Sequence, residues 1–95
     1  MSLTDPGAYD DVDLEGPVLP VWVTGKVSGV DDRTDVAIAV NGVVRAVSNT
    51  FELANGSDEL IAAMIPPSSL RNGRNTIEVY EVTSSGQLAS MGGTD

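Results

Sequence analysis

This chain has no cysteine and no histidine among its 95 residues. The first absence excludes disulfides and thiolate nucleophiles, and it leaves the compartment open, because an oxidising environment permits disulfides without requiring them. The second removes the commonest general base and, together with the first, the commonest transition-metal ligands. Aromatic residues are scarce, with one Trp, two Tyr and one Phe. Basic residues are scarce too: five Lys and Arg stand against fourteen Asp and Glu, a net charge of −9. That balance repels a phosphate backbone, so nucleic acid is not an expected partner. No apolar run approaches the ~18 residues of a membrane helix, and the domain itself is not expected to span a membrane.

What is present is β-pattern. From Asp35 to Val40, Val36, Ile38 and Val40 alternate with smaller residues, Asn41-Gly42 follows, and Val43-Val44 begin a return run. An Asn-Gly pair between such runs predicts a hairpin, because both turn residues must take positive φ and the resulting type I′ turn matches the strand twist. Further strands are expected over Val18 to Val27, Phe51 to Leu53, Glu59 to Ile65, Asn75 to Val82 and Gln87 to Met91, with no segment of helical period. Pro66-Pro67 ends the fifth run, because proline cannot donate to a ladder. In the return strand Arg45 is placed outward, which puts Val44 and Ala46 inward, and Phe51 is expected in the core. About seven short strands at this spacing predict an all-β, immunoglobulin-like β-sandwich. A chain this short buries about two thirds of its unfolded surface, enough for one thin core between two sheets.

Charge divides the chain. Residues 1–17 hold Asp5, Asp10, Asp11, Asp13 and Glu15 with no base, leaving nine acids and five bases over 18–95, a net of −4. An acidic segment with few large apolar residues reads as a flexible arm or linker. Its Met1-Ser2-Leu3 start resembles an expression-vector remnant, which implies a natural chain extending upstream. The expected organisation is an arm over 1–17, the sandwich over 18–91 and a loose tail over 92–95.

Few residues offer chemistry. Lys26, the sole lysine, is the only base a serine nucleophile could use, and it points out of a strand into water. Glu78 and Glu81 could form a carboxylate pair of the kind glycosidases use, but they face opposite sides of one strand. Asp11 to Gly16 resembles the first half of an EF-hand loop, yet its twelfth position is Trp22 in place of a bidentate glutamate. Asp31, Asp32 and Asp35 cluster in a turn where calcium could bind, although aspartate also caps its own turn backbone. Three residues stand out as contacts. Trp22 shares the outward parity of Lys26, which predicts either an exposed indole, the kind of group found at interface hot spots and sugar-stacking platforms, or a ring covered by a strand bulge or by the acidic arm folding back over it. Arg71 and Arg74 share one glycine loop, where they either dock a carboxylate or phosphate or form a solvated pair bridged to nearby carboxylates. Glu81 has inward parity with Ile77 and Val79, which requires a strand-end position or a bulge at Tyr80.

The run Leu70-Arg71-Asn72-Gly73-Arg74-Asn75-Thr76-Ile77-Glu78-Val79 resembles the crossover between sheets, and the strand after it, in bacterial immunoglobulin-like and fibronectin-III-like domains. Val23-Thr24-Gly25-Lys26-Val27-Ser28-Gly29 is similar to their usual first strand. The resemblance spans about residues 18–91. The cysteine pair, the buried tryptophan and the corner tyrosine of antibody domains are missing. What it implies is an extracytoplasmic, non-catalytic appendage of a larger bacterial cell-envelope protein, acting as spacer or docking domain. The expected partners are neighbouring domains or another envelope component, with no cofactor and no metal. The alternative is a carbohydrate-binding module built around Trp22.

Overall fold

The computed structural model describes residues 1–27, 34–52 and 59–94. Its strands are β1 (Ser2–Leu3), β2 (Trp22–Val27), β3 (Asp35–Val40), β4 (Val43–Asn49), β5 (Phe51–Glu52), β6 (Glu59–Met64), β7 (Ile77–Val82) and β8 (Leu88–Gly93). Two short 3-10 turns, Pro6–Tyr9 and Pro67–Ser69, complete the regular structure among the described residues. One sheet runs β1-β2-β6-β5 and the other β4-β3-β7-β8, with every pairing antiparallel. The two antiparallel sheets stack face to face as an all-β sandwich, as the short alternating strands predict. Strand order fixes the architecture and carries no function with it.

The core follows the period-2 pattern. Val23, Val27, Ile61, Ala63 and Ile65 of the first sheet meet Val36, Ile38, Val40, Ile77 and Val79 of the second, all buried. Each large side chain removed from water in this way contributes ~1.5–3 kcal/mol before entropy is counted. Asn41 and Gly42 take φ of 51° and 85°, the two positive values that a type I′ turn needs. Asn41 Oδ1 also accepts the Thr76 backbone N–H at 2.9 Å, fastening the turn to the segment that leads into β7.

Two side chains expected inward, Val44 and Phe51, lie outside the core. In the β3–β4 ladder the register shifts between Ile38 and Ala39, so Ile38 faces Ala46 while Ala39 faces Val44 and Arg45 is the extra residue. This bulge turns Val44 outward, where it is 45% exposed, and leaves Ala46 packed against the core as expected. Phe51 is 39% exposed instead of buried. The chain crosses from the second sheet to the first at Thr50, which takes the inward position: its N–H donates to Thr34 O and its Oγ1 accepts Thr34 N–H, both at 2.8 Å. Phe51, next along, therefore points out.

The segment read as a flexible arm packs onto the sandwich. Ser2 and Leu3 pair with Lys26 and Gly25, and Thr4 N–H continues the ladder to Thr24 O. Tyr9 and Val12 are buried in the same core cluster as the strands. Val12 exchanges two backbone bonds with Gly73, and Asn75 N–H donates to Tyr9 O at 2.8 Å. A low apolar count does not prevent two well-placed side chains from covering a core when the backbone between them also finds partners. Residues 92–94, read as tail, extend β8: Gly93 pairs with Glu78, and Thr94 N–H donates to Ile77 O. The first main strand begins later than expected, because Pro20 has no donor and Val21 N–H closes a three-residue turn on Leu19 O. The expected strand end at Leu53 and the acidic turn positions Asp31 and Asp32 lie outside the described residues.

Candidate contact site

Trp22 begins β2 with its indole outward, 59% exposed. Its cross-strand neighbour on β6 is Met64, 55% exposed. Farther along the same outer face Thr24 pairs with Ala62, and Lys26 with Leu60, which in turn pairs with Phe51. Lys26 is the one charge among these positions. The face is therefore an apolar surface anchored by Trp22 and Met64, with Phe51 at its far corner. A shallow groove of about 420 Å³ extends it from Met64 past Pro66 and Pro67 to the bulged Arg45 and to Val47.

Beside Trp22 lies a second depression, of about 340 Å³, lined by Leu3, Asp5, Tyr9, Val18, Leu19 and Trp22 among others. It arises because β1 stays on β2 only as far as Thr4. The chain then turns through Pro6–Tyr9, and the returning residues 18–20 run along the far side of the gap. In an antiparallel ladder alternate residues turn both backbone groups to the same neighbour. Thr24 O receives Thr4 N–H and Trp22 O receives the Tyr9 hydroxyl at 3.4 Å, so Trp22 and Thr24 direct their backbone polar groups toward this gap. Burial raises the Tyr9 pKa, and the nearby Asp5 carboxylate raises it further. The phenol stays protonated and can donate. The walls offer an indole, aliphatic side chains and one carboxylate, a set suited to holding a group.

The other sequence candidates fall elsewhere. Arg71 and Arg74 are both exposed on the glycine loop, and Arg71 Nε donates to Arg74 O at 3.1 Å, closing the loop on itself. Neither lines the Trp22 depression. Asp13 Oδ1 accepts Glu15 N–H at 3.0 Å, so the EF-hand-like stretch is a self-capped turn. Asp35 is hydrogen-bonded to the Asn49 amide, and among the described residues no group of three acidic side chains is placed to hold a metal. Glu78 accepts a hydrogen bond from the Tyr80 hydroxyl, which is the first cause of that phenol's raised pKa. Glu81 sits half-buried one residue from the end of β7, opposite Val36, and the register shift at Tyr80 places its extra residue on β8.

Sequence reasoning missed Met64 and the depression. Met64 alternates with the inward Ile61, Ala63 and Ile65, so its outward parity was available. The depression was not, because it requires the acidic segment to pack. Comparison of the chain with protein families, with curated proteins and with solved structures finds no match in any of the three.

Proposed function

We propose that this sandwich is a non-catalytic interaction module that meets a neighbouring domain, or another component of a bacterial cell envelope, through the outer face of its first sheet. The carrying observation is the Trp22–Met64 pair: two large apolar side chains directly opposite each other, each more than half exposed. Leaving such a pair in water forgoes about 25 cal/mol per Å² of apolar area, which a partner covering the face recovers. Trp is also the residue type that most often dominates contact energies. The extracytoplasmic setting rests on the similarity of Leu70–Val79 and Val23–Gly29 to bacterial immunoglobulin-like domains, and the net charge of −9 favours partners other than nucleic acid.

One observation favours the carbohydrate alternative. Phe51 shares the outer face with Trp22, which supplies a second ring where sugar-binding faces commonly present two or three. The two readings separate on substitution. Trp22→Ser with Met64→Ser should abolish association with the adjacent parent domain while changing the stability of the module by no more than ~0.5 kcal/mol, because both side chains are already solvated. Loss of binding to cell-wall polysaccharide, with domain association intact, would support the sugar reading instead.

A further inference from the structure

We infer that the depression between Trp22 and Asp5 receives the cationic end of a lysine or arginine side chain from a protein partner. The inference rests on the contact-surface reading above and names what enters it. At about 340 Å³ the depression is near the lower limit of ligand pockets, room for one long side chain. Leu3, Val18 and Leu19 suit an alkyl stem, the half-exposed indole of Trp22 suits a cation over its face, and Asp5 brings the opposite charge. Charge complementarity extends beyond the lining. The segment that builds one wall carries Asp5, Asp10, Asp11, Asp13 and Glu15 without a base, inside a chain of net charge −9. The base nearest in sequence on the same face, Lys26, lies four residues along β2, about 13 Å at the rise of a strand. An anionic group would be repelled here, and a neutral one would leave the carboxylate unused.

The test uses the full chain and the fluorescence of its one tryptophan. A capped pentapeptide with a single central lysine is titrated against counterparts carrying norleucine or glutamate at that position. The lysine peptide should shift Trp22 emission. Its affinity should fall about five-fold or more with Asp5→Asn and should weaken with added salt, as a partly exposed ion pair does. Asp5→Glu should retain most of the affinity, and Asp13→Asn, at a self-capped turn outside the depression, should change it little. Equal binding of the norleucine peptide, or no effect of Asp5→Asn, would overturn the cation assignment while leaving the apolar contact surface standing. No emission shift with any peptide would also overturn it. The contact-surface reading falls separately, if Trp22 is as solvent-exposed in the parent protein as in this domain.

Discussion

The side chain of buried Asn75 accepts a hydrogen bond from Asn41 Nδ2 at 2.9 Å, 34 positions away in the chain. The same Asn75 oxygen accepts Arg71 N–H, and its amide donates to Arg71 O and Gly73 O. One residue thus joins the β3–β4 turn to the glycine loop, while its backbone N–H holds Tyr9 O of the acidic segment.

Asn75→Ala should therefore destabilise the domain by about 2–4 kcal/mol, because it leaves several buried or half-buried groups without partners at once. Asn41→Ala removes one arm of the network and should cost less. Chemical denaturation of both variants measures the difference. Equal small losses would show that the network is solvated in practice.

Gly42 stands at φ 85° with nothing within 4 Å of an added Cβ, so a substitution there meets no steric neighbour and only the backbone resists. Gly42→Val should cost about 1–3 kcal/mol, and Gly42→Asn distinctly less, because asparagine tolerates the left-handed region. A melting temperature unchanged by valine would refute the type I′ hairpin.

Deleting residues 1–15 should lower the melting temperature by about 10 °C or more, since it removes β1 and two members of the core. Tyr9→Ala should account for much of that loss, about 3 kcal/mol for a buried aromatic ring. Tyr9→Phe keeps the packing and removes a titrating group. The Tyr9 pKa is raised in the folded state by burial and by Asp5, so its contribution is fully present below the unfolded value near 10 and is lost as pH rises through the folded value. The wild type should lose stability above about pH 10 more steeply than Tyr9→Phe does. Parallel profiles would mean that the phenol is solvated.

A Cβ at Gly25 would sit 2.7 Å from Ser2 O, closer than backbone allows. Gly25→Ala should peel β1 away and cost about 1–3 kcal/mol, with loss of amide-exchange protection at Thr4 while β2–β6 stays protected. Retained protection at Thr4 would show that β1 is not held against β2 as described.

Much of this fold is legible in the sequence because one face of each strand is buried: Val36, Ile38, Val40, Ile61, Ile77 and Val79 carry the alternation, and Asn41-Gly42 sets the hairpin register. The errors come from events that composition and parity do not record. Arg45 is an extra residue in β4, so on its turn side Val44 points outward while Ala46 keeps the inward position that parity assigned. Thr50 carries the chain from one sheet to the other, which exposes Phe51. Tyr9 and Val12 are too few to mark a core segment, and only the bonds to Gly73 and Asn75 explain why they are buried. The outward position of Trp22 was legible from its parity with Lys26. The depression beside it depends on long-range packing and was not.

The contact surface is tested most directly by the solvent access of Trp22, alone and in context. The isolated domain should show red-shifted emission that iodide quenches readily, as its 59% exposure requires. Joined to the neighbouring domain that the proposed function requires, with any tryptophan of that domain replaced by phenylalanine, the same residue should emit to the blue and resist iodide. Equal quenching in both settings, or blue unquenchable emission from the isolated domain, would contradict a contact surface at Trp22.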